Sequence, residues 1–124
     1  EGFAVAGGED REFCDRWQHS GGKAALNMEA ICFHSHPLTL AGFYKLHYRY
    51  GGAAKRFWAN RTARGQKSMA PEASEFYLDM LRSPWKKGLP NPLWHSALLA
   101  LSQVAGALGY YFKSSSPDSP DAHR

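Results

Sequence analysis

The sequence predicts a mainly α-helical chain, with short helices and extended arms, one C-terminal transmembrane helix at about residues 93–112, and little independent globular core. The first observation behind this prediction is that residues 88–112 contain no Asp, Glu, Lys or Arg. Twenty helical residues extend about 30 Å, which is the hydrocarbon thickness of a bilayer. The second observation is that the preceding apolar segments are short and are separated by Gly and Pro.

Composition limits the classes of protein that fit. The chain has 124 residues, 44% hydrophobic and 21% charged, which suits one small domain and excludes a disordered polar chain. Two cysteines are too few for a disulfide-rich secreted scaffold, and the net charge of +4 is mildly basic. We expect an extramembrane region over 1–92, the span over 93–112 and a short polar tail over 113–124.

The N-terminal half contains three candidate elements. Residues 9–19 are predicted to form a short helix, because their first turn is acidic and Phe13 and Trp17 are spaced i, i+4. Residues 23–33 are a second short helix candidate, whose end equally suits an extended chain. Residues 45–50 alternate apolar and basic side chains, which is the spacing of a strand or an extended surface arm.

Two further helices are predicted before the apolar stretch. Residues 53–64 suit a basic helix, and residues 71–82 suit another, since Pro71 fits a first helical turn. Pro84 is expected to end that helix, because proline interrupts helical hydrogen bonding. Residues 83–92 are then expected to form a rigid, non-helical connector.

The predicted span has aromatic ends and flanking lysines. Trp94 lies at one end, and Tyr110 and Tyr111 lie at the other. Lys86 and Lys87 lie just outside, where lysines reach the headgroups of a bilayer. These side chains are expected to contact lipid or partner subunits. The excess of positive charge before the span predicts that the N-terminal bulk faces the matrix or stroma.

Small residues at four-residue spacing define one face of this helix. Ser102 and Gly106 form one pair, and Ala105 and Gly109 form another. Such pairs let a second helix approach closely within a bilayer, so this face is predicted to pack against a helix of a protein neighbour.

The middle of the chain, residues 38–70, is basic and aromatic and contains no Asp or Glu. The cations expected to contact lipid or a partner are Lys45, Arg49, Lys55, Arg56, Arg61 and Arg64. Anionic lipid headgroups or an acidic partner are the favoured targets, and nucleic acid is not expected. Cations interleaved with aromatic rings also suit RNA, so an RNA-contacting organellar ribosomal subunit is the alternative.

Two residue sets suggest bound groups. Cys32, His34 and His36 would share one face of an extended chain and suit zinc or copper, which makes a small metal-binding protein the second alternative. His95 and Gln103 are the residues of the apolar stretch that chlorophyll would use as ligands. The simpler interpretation is that both sets of residues pack and form hydrogen bonds within the protein. No cofactor is therefore predicted beyond contacts with chlorophyll or lipid.

No phosphate-binding loop, Ser-His-Asp pattern or paired carboxylates occur in the sequence, so a non-catalytic role is predicted. The favoured hypothesis is an accessory single-pass subunit of a large organellar energy-transducing complex. That complex would be a respiratory complex or ATP synthase of the mitochondrial inner membrane, or a photosystem of the thylakoid. The chain would stabilise assembly by contacting integral-membrane and peripheral subunits.

Overall fold

The computed structural model describes residues 8–33, 37–67, 70 and 72–113. Over these ranges the chain forms α-helices and no strand. The helices are α1 (Glu9–His19), α2 (Leu40–Ala63), α3 (Ser74–Lys86) and α4 (Pro92–Phe112). The predicted helix at residues 9–19 is confirmed.

The long helices α2 and α4 form the central pair. They run antiparallel, since Tyr48 faces Gly109 and Gly51 faces Gly106. Helix α3 packs against α4, and the Ser96 hydroxyl donates a hydrogen bond to the Leu81 carbonyl at 2.6 Å. Helix α1 is tied to the C-terminal half of α2 by ion pairs. The buried apolar side chains among the described residues are few: Ala53, Phe57, Pro84 and Ala105.

The predicted transmembrane helix is wrong. Helix α4 has 21 residues, yet no helix in the described part of the chain combines the length and the apolar character needed to cross a membrane. Its polar residues explain the shortfall, and they have partners inside the chain. Besides the bond from Ser96 to α3, the Ser102 hydroxyl donates to the Leu99 carbonyl at 2.7 Å. The small, polar face of α4 therefore packs within this chain.

Residues 45–50 are helical, so the predicted strand or extended arm is wrong. They lie inside α2, which begins after Thr39, whose hydroxyl accepts a hydrogen bond from the Gly42 N–H at 3.1 Å. Six alternating residues are too few to separate strand from helix. The full length of α2 has a helical period, which places Tyr48 and Gly51 on the face toward α4.

Residues 23–33 form no helix, contrary to the prediction. The Asn27 side chain accepts a hydrogen bond from the Glu29 N–H at 3.0 Å. A local bond of this kind offers the backbone a turn in place of a helix. The chain continues from this turn as an irregular, exposed segment through Phe33.

Pro84 does not end α3, which continues to Lys86. Proline has no N–H to donate to the Met80 carbonyl one turn earlier. The Ser83 hydroxyl donates to that carbonyl instead, at 2.7 Å. The helix therefore tolerates a proline that the sequence alone marks as a stop. Helix α3 begins at Ser74, and Pro71, the predicted first residue, lies outside the described residues.

Candidate ligand groove and interaction surfaces

The backbones of α2 and α4 touch where the two helices cross. A Cβ atom at Gly51 would collide with the carbonyl oxygen of Gly106, and a Cβ atom at Gly109 would collide with that of Tyr48. Glycine is required at both positions by this close approach. Larger side chains on either side of the crossing line a groove.

The groove has a volume of about 610 Å³. Its floor is made of small residues at the crossing: Gly51, Ala54, Gly106 and Ala107. Its walls are rings from α2, α3 and α4: His47, Tyr50, Trp58, Tyr77, Tyr110 and Tyr111. A concave, mainly apolar space of roughly 300–1,000 Å³ is typical of small-molecule sites.

The two ends of the groove differ in polarity. Because the helices are antiparallel, Trp58 lies toward the end formed by Ser102 and Gln103, and Tyr50 lies toward Tyr110. At the first end the Gln103 amide donates to the Ser102 hydroxyl at 3.3 Å. That end is polar, and the opposite end is aromatic.

Arg11 of α1 supplies the charge of the groove. Its guanidinium carbon lies 4.6 Å from the centre of the Phe57 ring and 5.7 Å from that of Trp58. Stacking on two rings holds an arginine in place without removing its charge. Arg11 makes no ion pair within the described ranges, and no described Asp or Glu lines the groove.

His47 lies among rings in the aromatic half of the groove. Its imidazole lies 4.4 Å from the Phe43 ring and 5.9 Å, edge to face, from the Tyr50 ring. Burial lowers the pKa of His47 below its ordinary value of 6.5. The imidazole is therefore neutral at neutral pH, and the positive charge of the groove comes from Arg11.

Two of the predicted cations are used inside the chain. Arg61 and Arg64 both pair with Asp15, and Arg64 also pairs with Glu12 at 3.0 Å. Asp15 is only 8% exposed. The hydrogen bonds that the Arg64 guanidinium donates to Glu12 and to Asp15 raise the pKa of Arg64. These arginines hold α1 on α2, a role that charge counting along the sequence did not reveal.

Three of the four other predicted cations of α2 lie on one side of the helix, and the fourth does not. Lys45, Arg49 and Arg56 lie within about 40° of one another around the helix, and Lys55 lies about 80–120° from each of them, toward α4. None of these four makes an ion pair among the residues that the structure describes. We call Lys45, Arg49 and Arg56 the basic face.

The predicted helix-packing residues lie at the contact between α4 and α2. Ser102, Ala105 and Gly109 are buried, and Gly106 is half-buried against α2. The neighbouring helix at this face belongs to the same chain.

The residues predicted to flank a span are dispersed. Trp94 is 55% exposed, whereas Tyr110 and Tyr111 line the groove. Lys86 pairs with Asp79 at 2.7 Å, and Lys87 is exposed at the end of α3.

The candidate pigment ligands lie two turns apart on α4, and most of the candidate metal site lies outside the described residues. His95 Nδ1 lies 3.1 Å from the Asn91 carbonyl, at the start of α4, while Gln103 lines the groove. Cys32 is an exposed free thiol, and His34 and His36 lie outside the described residues. Within the described ranges no three His, Cys, Asp or Glu residues are grouped as metal ligands.

Residues 23–33, which we call the apolar arm, form the most exposed apolar surface. Its large apolar side chains are Leu26, Met28, Ile31 and Phe33, which are 85%, 79%, 73% and 95% exposed. Large apolar side chains exposed close together often mark a site of protein contact, and these four lie within residues 26–33.

Comparison with known proteins gives no match: no protein-family model, no curated protein and no solved structure is similar to the chain. The groove, the basic face and the apolar arm are the features of the described residues that bear on function.

Most of the groove has no local signal in the sequence. His47, Ala54 and Trp58 lie on one face of a helix, but that pattern is visible only when residues 45–63 are treated as helical. Arg11 and Tyr77 come from other helices, and no local pattern connects them to α2.

Proposed function

We propose that this chain is a non-catalytic accessory subunit that stabilises a larger assembly by binding other protein subunits. One observation supports the proposal above the others: the apolar arm exposes four large side chains, while the described helices bury very few. An isolated chain gains little from such an arm. A partner that covers it would remove that apolar area from water, which is the main favourable term in association.

The partner surface is expected to be an apolar groove or sheet edge. The arm has no regular secondary structure from Ala30 to Phe33, so it can adapt to a partner backbone or insert single side chains into pockets. Phe33 is the most exposed large side chain and is the best candidate for an anchor. The organellar energy-transducing complexes are the assemblies we propose, with the chain attached through such protein contacts.

Native gel electrophoresis of extracts from the source cells tests this function. The tagged full chain is expected to migrate with a complex far larger than its own 13.8 kDa. Replacing Ile31 and Phe33 together by serine should release the chain, because two anchors are lost. Glu29→Ser, in the same arm, is the matched control and should leave migration unchanged.

Two outcomes would overturn the proposal. One is migration of the wild-type chain as a monomer. The other is retention of the Ile31→Ser/Phe33→Ser variant in the complex, with circular dichroism showing that its helices are intact. Neither substitution lies in the groove or between helices, so folding of the four helices is expected to survive.

The second candidate function is contact with RNA in an organellar ribosomal subunit, and the basic face favours it. Lys45, Arg49 and Arg56 form one row on α2, and phosphate groups bind rows of this kind. This hypothesis predicts that ribonuclease collapses the complex on the native gel. It also predicts that Arg49→Glu with Arg56→Glu releases the chain, whereas Lys87→Glu on α3 does not.

A further inference from the structure

We propose that the groove between α2 and α4 binds a flat aromatic small molecule with one negative charge. This binding site goes beyond the accessory role, since it uses different residues from the apolar arm. Its shape, the rings that line it and the one arginine of its described lining each restrict the ligand.

The shape of the groove favours a flat ligand. The floor is the backbone contact at Gly51 and Gly106, with Ala54 and Ala107 beside it, so little side chain rises from it. Rings from both long helices, and Tyr77 of α3, line the rest of the groove. A ring system placed on this floor would meet other rings at its faces and edges, which are the geometries that aromatic pairs prefer.

The aromatic half of the groove favours an apolar body. Tyr50, Tyr110 and Tyr111 surround it, and Tyr110 and Tyr111 already meet edge to face at 5.2 Å. His47 lies there between Phe43 and Tyr50. A charged group placed at this end would lose its water without gaining a counter-ion.

The opposite end favours an anion. Arg11 is exposed, stacked on Phe57 and Trp58, and not used in the ion pairs of the described residues. Gln103 and Ser102 lie on the α4 side of this end and offer polar groups. A planar carboxylate matches the fork of donors on an arginine, and the complete lack of Asp and Glu in the described lining leaves nothing to repel it.

The test uses two probes that share a naphthalene ring and carry either an anionic or a neutral polar group. Isothermal titration of the full chain with 2-naphthoate should give saturable one-site binding, and 2-naphthylmethanol should bind about tenfold more weakly, since one charge-assisted contact is lost. Arg11→Gln should weaken naphthoate about tenfold and leave the alcohol within about twofold. Ala107→Trp fills the floor and should weaken both probes by about tenfold or more.

Lys45→Gln is the control, because it removes one positive charge from the opposite side of α2 and should leave both affinities unchanged. Absence of naphthoate binding to the wild-type chain would overturn the proposal. Equal binding of both probes, or equal loss of both on Arg11→Gln, would overturn the assignment of the anion to Arg11. Binding that survives Ala107→Trp would place the probes outside the groove and overturn it as well.

Discussion

Gly51 of α2 and Gly106 of α4 are in backbone contact, and there is room for a side chain at Gly106 but not at Gly51. A Cβ atom at Gly51 would point into the carbonyl oxygen of Gly106. A Cβ atom at Gly106 would point past α2, with the His47 carbonyl oxygen as its nearest neighbour at 4.0 Å. The two glycines therefore differ in role, although both lie inside helices.

This asymmetry predicts opposite effects of the same substitution. Gly51→Ala should destabilise the chain by about 2–3 kcal/mol, because α2 and α4 must separate to admit a methyl group. Gly106→Ala should be neutral, or should stabilise by up to about 1 kcal/mol, because alanine is the better helix former. Urea unfolding followed by circular dichroism measures both. Equal stability of the two variants would show that the crossing is not a backbone contact.

The sequence predicted the small face of α4 but assigned it the wrong neighbour. Ser102, Ala105, Gly106 and Gly109 are spaced for close helix packing in any solvent, so the spacing alone cannot separate a bilayer from a protein interior. The role of Gly51 in helix packing cannot be recognised from the sequence, because the alternation over residues 45–50 favours an extended chain. The neighbour of α4 and the helical conformation of residues 45–50 both depend on the pairing of α2 with α4. That pairing joins distant parts of the chain, so no local sequence pattern indicates it.

The groove likewise depends on contacts between distant parts of the chain, which local sequence patterns do not indicate. Its floor follows from glycine and alanine positions that are plain in the sequence, yet its charge comes from Arg11, which is distant along the chain. The basic middle was visible from composition, but composition could not show that Arg61 and Arg64 pair with acids of α1. Pairing of this kind converts an apparent binding surface into an internal contact.

The acids of α1 are predicted to hold that helix on α2. Asp15→Asn should cost about 1–2 kcal/mol, because it leaves two partly buried arginines with a weaker partner. Hydrogen exchange should show faster opening of α1 than of α4 in this variant. Asp79→Asn is the matched control. It breaks the exposed pair with Lys86, where solvent already screens the charges, so its effect on unfolding should be small. Equal losses in the two variants would contradict a structural role for Asp15.

Ser83 is predicted to be needed because of Pro84. Ser83→Ala should destabilise the chain by about 1–2 kcal/mol, since the Met80 carbonyl loses the donor that replaces the missing proline N–H. Thr62→Ala removes a similar hydroxyl bond, to the Trp58 carbonyl. That carbonyl keeps its helical N–H, so the change should cost less than about 0.5 kcal/mol. Equal effects in urea unfolding would mean that the proline leaves no carbonyl to satisfy.

His47 is predicted to make stability depend on pH. Burial lowers its pKa in the folded chain below 6.5, so the unfolded chain binds the proton more readily between the folded pKa and 6.5. Stability should therefore rise with pH through that window and be fully present above it.

His47→Gln separates this effect from the titration of other groups. The variant keeps a side chain of similar size and hydrogen-bonding ability but has no proton to gain near neutral pH. Urea unfolding at pH 7.5 and at pH 5.5 should show a smaller loss of stability in the variant than in the wild-type chain. The same loss in both proteins would mean that the folded chain admits the His47 proton as easily as the unfolded chain does, and that the imidazole is solvated rather than held among the rings of Phe43 and Tyr50.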